Sequence, residues 1–139
     1  MVDLATRKNN VMAKTLPPPN ALGRHVLLEL HNCDADLLKY PPDSESILLD
    51  AAGAMGATIM GSHFHAFPEH GVSGVVVIAE SHLTIHTWPE KRYAAVDVFS
   101  CGALDLEAGI GLLTLEFGAE RVERQTILRG ILDAGSHQV

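Results

Sequence analysis

Cysteine, aromatic side chains and positive charge are all scarce in this chain, and each shortage narrows what it can be. Two cysteines, Cys33 and Cys101, in 139 residues cannot build the disulfide framework of a small secreted domain. In a reducing compartment such a pair reads as two free thiols. Ten basic residues stand against 17 acidic ones, a net charge of −7. That balance argues against nucleic acid and suits neutral or cationic small ligands. No apolar run approaches the roughly 18 residues of a membrane span. No continuous apolar block follows Arg7, Lys8 and Lys14 either, so no secretory leader is expected. The reading is a cytoplasmic protein with no membrane and no nucleic-acid partner.

What is present is enough to fold. An apolar fraction of 47% over 139 residues supports one domain with a real core. Residues 1–23, with Asn9-Asn10 and Pro17-Pro18-Pro19 and no periodicity, read as a disordered tail; Met12 would serve as an alternative start. Residues 24–139 read as the single folded domain.

From Arg24 the pattern is regular. Residues 25–31 form a β-like run. After Pro41-Pro42, Asp43 or Ser44 is the expected N-cap of a helix whose inner face carries Ile47, Leu48, Ala51, Ala52 and Met55, with Gly56 at its end. Residues 57–67 alternate as a strand. A turn at Pro68–Gly71 leads to GVVVIA at 74–79, an apolar run that reads as a strand buried on both sides. LTIHTW at 83–88 and YAAVDVFS at 93–100 are two more strands. Asp105 caps a second helix with Leu106, Ile110, Leu113 and Phe117 on one face, and Gly118 stops it. Gly109 and Gly111 each cost that helix roughly 1 kcal/mol relative to Ala, a price that close packing on the sheet would explain. A last strand runs near 121–129. The order β-α-β-β-β-β-α-β predicts an α+β two-layer sandwich, an antiparallel-rich sheet with two helices on one face.

Four clusters carry polar chemistry, each with a bland alternative. His63 and His65 share a strand face, with His70 near, but no third metal ligand stands at a familiar spacing, and no metal is expected. Glu80-Ser81-His82 interrupts two apolar strands with no Gly, Pro or Asn to make a turn; a chain forced to turn there is a candidate for backbone strain. His86, just before Trp88-Pro89-Glu90, is either a functional group or a strand histidine hydrogen-bonded on a half-buried face. Cys101, at a strand end beside Gly102, is either a small buried hydrophobe or a reactive thiol.

Taken together, AESHLTIHTWPE at 79–90 followed by AAVDVFSCG at 94–102 resembles the short prokaryotic form of the S-adenosylmethionine decarboxylases, over roughly residues 23–130. The resemblance implies self-cleavage between Glu80 and Ser81. Ser81 would attack the Glu80 carbonyl, and β-elimination would leave residues 1–80 (the β chain) and 81–139 (the α chain). Ser81 would become a pyruvoyl group, the only cofactor implied. The resemblance makes His86 the proton acceptor in processing, and Ser73 a hydroxyl that helps it; the alternative for Ser73 is an ordinary turn serine. In decarboxylation the pyruvoyl ketone would form a Schiff base with the substrate amine, and Cys101 would return the proton to the product. Phe67 would stack on adenine and face the sulfonium. Glu90 would accept hydrogen bonds from the ribose hydroxyls. Trp88 would add a second stacking face, unless it is core.

The implied product is decarboxylated S-adenosylmethionine, the aminopropyl donor for spermidine. The alternative substrates are arginine or ornithine, on the same machinery. A metal-binding module built on His63, His65 and Cys101 is a third reading that leaves the Glu80-Ser81 junction unexplained. The implied assembly is a homodimer with sites shared between protomers, hence two α and two β chains after cleavage.

Overall fold

Two prolines begin the first helix instead of preceding it. In the computed structural model, which describes residues 14–132, helix α1 spans Pro41–Ala54 with Tyr40 at the N-cap and Pro41 and Pro42 in its first turn. The expected cap at Asp43 or Ser44 is therefore corrected. Proline's missing N–H falls where a helix leaves its N–H groups unpaired anyway. Asp43 sits in the first turn, where the helix dipole favours an anion. Ser44 is buried and donates to the Leu37 carbonyl at 3.4 Å. Helix α2, Leu106–Glu116, begins at the expected cap, with the Asp105 carboxylate accepting from the Ala108 N–H at 3.1 Å.

Six strands make one sheet: β1 Ala21–His31, β2 Ile59–Ala66, β3 Val72–Ile78, β4 Ser81–Trp88, β5 Tyr93–Ser100 and β6 Arg121–Ile131. Their order is β2-β3-β4-β5-β1-β6 with every neighbouring pair antiparallel. Strand β1 begins three residues inside the stretch read as tail, because Ala21 and Gly23 pair with Ile131 and Arg129 of β6. Before it, Thr15 bridges Leu104 and receives the Arg24 guanidinium at 2.6 Å. Residues 1–13 of the expected tail lie outside the described residues.

Both helices cover the same face. Ile47, Leu48, Ala51 and Ala52 of α1, with Ile110 and Leu113 of α2, pack on Val26, Leu28, Leu30, Val76, Leu83, Ile85, Val96 and Val98 of the sheet. Each Val, Leu or Ile among them, fully buried, is worth about 1.5–3 kcal/mol of transfer free energy. The α+β two-layer sandwich is thus the observed architecture. Among the described residues, no helix is long and apolar enough to cross a membrane.

Among the described residues, no layer covers the other face of the sheet. There His25 Nε2 meets Asp97 at 3.2 Å, Thr84 donates to the same carboxylate at 3.0 Å, and Tyr93 donates to Glu29. Burial, then the neighbouring Glu29, pushes the Tyr93 phenol up to about 12. Strand β3 is covered on one side only: Val76 and Ile78 are buried, whereas Val77 is 46% exposed. Among the described residues, its apolar run therefore does not lie between two layers.

Candidate active site

Only Ala79 and Glu80 separate β3 from β4, since Ile78 pairs with Ser81. A two-residue hairpin connection normally takes positive φ at its first or at both central residues, so that its twist matches the strands. Neither Ala79 nor Glu80 has positive φ; Ser81 does, at φ 151. That is a region glycine tolerates and a side chain resists. The conflict between a tight turn and a sequence with no turn residues is therefore carried at the Glu80–Ser81 peptide.

The same peptide is gripped from the end of β5. The Glu80 carbonyl accepts from the Cys101 backbone N–H at 2.9 Å and from the Cys101 thiol at 3.1 Å. The Ser81 hydroxyl lies 3.7 Å from the same sulfur. Two donors on one carbonyl polarise it and would stabilise negative charge developing on its oxygen. A hydroxyl one residue away from such a carbonyl is chemically able to attack it. Ser100, buried, holds this corner by exchanging hydrogen bonds with Gly102, both at 3.1 Å. The two thiols are far from equivalent. Cys101 is exposed and Cys33 buried, and burial pushes the Cys33 thiol up to about 11 against the partial opposition of Arg92.

A second group of residues gathers at the far end of β3 and β4. Ser73 and His86 pair across the ladder, with Ser73 Oγ 2.6 Å from His86 Nδ1. The direction of that bond follows the imidazole tautomer. They line an open cleft of about 610 Å³ together with Phe67, Trp88 and Glu90. Phe67 and Trp88 are 48% and 43% exposed, so both offer a ring face to a ligand and neither is core. Trp88 is steadied by Tyr93, ring centroids 5.4 Å apart, and Phe67 by His65 at 4.9 Å. Glu90 projects from the short 3-10 turn Pro89–Lys91.

The structure thus places the eight candidate residues in two groups: Glu80, Ser81 and Cys101 at the strained turn, and Phe67, Ser73, His86, Trp88 and Glu90 in the cleft. Within one chain the groups do not meet. His86 stands five residues along β4 from Ser81, a separation of about 16 Å at strand rise. Reading the sequence missed Glu69, a turn residue that nothing in the turn composition marks, and noted His70 only beside His63 and His65; both line the cleft. It also missed Thr58, whose N–H donates to the Glu80 carboxylate at 3.1 Å. Among the described residues no three His, Cys, Asp or Glu side chains gather as a metal set. His63 lies in β2 and Cys101 just beyond β5, so the metal module has no assembled site.

A turn that strains one peptide, donors aimed at its carbonyl and an adjoining hydroxyl define a chain fitted for an intramolecular acyl shift. Residues 24–130 match the family model described as S-adenosylmethionine decarboxylase. A protein of Clostridium kluyveri named S-adenosylmethionine decarboxylase proenzyme is 45% identical over 115 residues, 82% of this chain and 91% of its own length. One of Carboxydothermus hydrogenoformans with the same name is 49% identical over 114 residues, 81% and 90% of the two chains. The crystal structure of the adenosylmethionine decarboxylase from Aquifex aeolicus superposes with a TM-score of 0.77 at 35% identity, over 86% of this chain and 99% of that one. The chain belongs to the S-adenosylmethionine decarboxylase family.

Proposed function

We propose that the chain is the precursor of a carboxy-lyase that cleaves itself at Glu80–Ser81 and then decarboxylates S-adenosylmethionine. The observation that carries this reading is the Glu80 carbonyl held by the N–H and thiol of Cys101 beside a Ser81 at φ 151. Ser81 Oγ attacks that carbonyl, its proton passes to a base, and the tetrahedral oxyanion rests on the Cys101 donors. Collapse breaks the C–N bond and leaves an ester with a free Ser81 amine. Loss of the Ser81 α-proton then expels Glu80 as a carboxylate. The dehydroalanine left behind takes up one water and releases ammonia, giving a pyruvoyl end on residues 81–139.

The base must come from outside this turn. His86, oriented by Ser73 at 2.6 Å, is the imidazole that takes that task as general base. It reaches Ser81 only if a second copy supplies it. A two-fold pairing over the uncovered face would set the cleft of one copy against the strained turn of the other and would cover Val77 and the polar face of β4 and β5. The proposed unit is therefore a homodimer, two α and two β chains after cleavage.

The pyruvoyl group supplies the electron-withdrawing carbonyl that accepts the carbanion electrons when carbon dioxide leaves. The remaining work falls to side chains. Phe67 and Trp88 present rings to adenine and sulfonium, Glu90 accepts from the ribose diol, and the exposed Cys101 thiol delivers a proton to the product. Arginine or ornithine as substrate finds no support among these relatives, and neither carries the adenine and ribose proposed to meet Phe67 and Glu90. The product would be the aminopropyl donor for spermidine, made in the cytoplasm. Intact-mass analysis of fresh protein should give residues 1–80 and a blocked 81–139 chain. Carboxyl-labelled S-adenosylmethionine should then release labelled carbon dioxide. A folded Ser81 chain that stays whole and releases none contradicts the reading.

A further inference from the structure

We propose that Thr58 and Gly102 act together as a clamp that sets the rate of self-cleavage by fixing the Glu80 side chain; the inference rests on the reading above. Thr58 lies between α1 and the first residue of β2, next to the β3–β4 turn in space though 22 positions from Glu80 in sequence. It engages the turn three times. Its carbonyl accepts from the Ala79 N–H at 2.8 Å, its N–H donates to Glu80 Oε1 at 3.1 Å, and its hydroxyl donates to Oε2 at 3.4 Å. Both carboxylate oxygens are thus occupied by one residue, a charge-assisted and directional arrangement.

Gly102 closes the clamp from the other side. A Cβ there would stand 2.6 Å from Glu80 Cγ and 3.1 Å from its Cβ, so the Glu80 side chain lies across the space a glycine leaves. Gly102 is not among the positive-φ glycines; the requirement is for room and not for a special backbone.

The consequence follows from the turn. Ala79 and Glu80 both decline the φ a tight hairpin prefers, and a turn left to itself would relax by rotating the peptide after Glu80. Such a rotation carries the Glu80 carbonyl away from Cys101 and from the Ser81 hydroxyl. Thr58 on the carboxylate, Cys101 on the carbonyl and Gly102 beneath the side chain together prevent it. Neither Thr58 nor Gly102 touches a reacting atom. Both are positioning residues, and a small misplacement of a reacting carbonyl lowers rate steeply.

The test is a pair of double-mutant cycles on the rate at which freshly synthesised full-length chain converts to its two fragments, followed on denaturing gels. Thr58→Val should slow conversion about tenfold, the loss expected for one hydrogen bond to a charged group, and Thr58→Ser should restore it; Gly102→Ala should also slow conversion, because its Cβ displaces the Glu80 side chain. In a Glu80→Ala background, already slow, neither substitution should slow it further, because the clamped group is gone. Wild-type rates in both variants, or equal slowing in both backgrounds, would overturn the clamp while leaving self-cleavage intact. A wild-type chain that never converts would overturn both readings together.

Discussion

Ser73 Oγ lies 2.6 Å from His86 Nδ1 on the ladder between β3 and β4, and the pair sits at the opposite end of those strands from the Glu80–Ser81 turn. That spacing divides the chemistry. One end of the hairpin holds the strained Glu80–Ser81 peptide, the Ser81 hydroxyl and the two Cys101 donors on the Glu80 carbonyl. The other holds an oriented imidazole in a cleft walled by Phe67, Trp88 and Glu90. Each half lacks what the other has.

The roles of the two thiols are separable. Cys101 presents its backbone N–H to the Glu80 carbonyl, a donor that alanine keeps, so Cys101→Ala should still process, if more slowly, yet lose most decarboxylation. At pH 8 iodoacetamide should label Cys101 and abolish turnover while sparing Cys33, which is buried and pushed up to about 11. Peptide mapping that finds Cys33 modified first, or full turnover in the Cys101→Ala enzyme, refutes the proton-donor role.

Substrate affinity should respond to Phe67 and Glu90, and processing should not. A sulfonium over an aromatic face is worth about 0.5–2 kcal/mol, so Phe67→Ala should raise KM roughly 2- to 30-fold. Glu90→Gln, which keeps the volume but removes the charge, should raise it by about tenfold. Steady-state kinetics on fully processed protein checks both; unchanged KM in the two variants would place the ligand elsewhere.

Acid should weaken the fold through His82. Burial, then the neighbouring His25, depresses its pKa below the usual 6.5, with Asp97 opposing in part. The folded chain then holds fewer protons at His82 than the unfolded chain does. The stability this contributes is present in full above pH 6.5 and drains away as pH falls through the depressed value. Urea midpoints of the uncleavable Ser81→Ala chain should drop between pH 7.5 and 5. Adding His82→Asn should flatten that dependence, and an identical slope with asparagine would remove His82 as its source.

The two glycines of α2 should behave oppositely. A Cβ at Gly109 would meet Met55 Cγ at 2.3 Å, whereas one at Gly111 would meet nothing within 4 Å. The close approach is therefore to the end of α1 and not to the sheet. Gly109→Ala should cost about 1–3 kcal/mol by overpacking, and Gly111→Ala should gain about 1 kcal/mol of helix propensity. Thermal melts of both in the Ser81→Ala background decide it, and the same sign of shift in both would contradict the packing described.

Much of this was legible in the sequence, because alternation and helical spacing are written locally. The six strands, both helices and the missing turn residues at Glu80-Ser81 all follow from patterns a few residues long. Once the two-residue turn is placed, antiparallel counting alone sets Ser73 opposite His86. The prolines misled for a physical reason: Pro41 and Pro42 resemble helix breakers in a string but suit the first turn. Thr58 was invisible, since no local pattern says that the strand after α1 will start beside a turn 22 positions further on. The start of β1 at Ala21 was missed likewise, for its partners lie in β6.

The central claim is that the two halves unite only across two copies of the chain, and a mixed dimer tests it most directly. Neither Ser81→Ala nor His86→Ala should cleave when made alone. When the two are co-expressed with distinguishable tags, a mixed dimer joins the intact Ser81 of the His86→Ala chain to the intact His86 of the other. The account predicts that the His86→Ala chain alone is cut, that only mixed dimers gain turnover, and that about one site per dimer works. Failure of the co-expressed pair to cleave, with mixed dimers shown to form, would contradict it. So would efficient cleavage of a chain held monomeric.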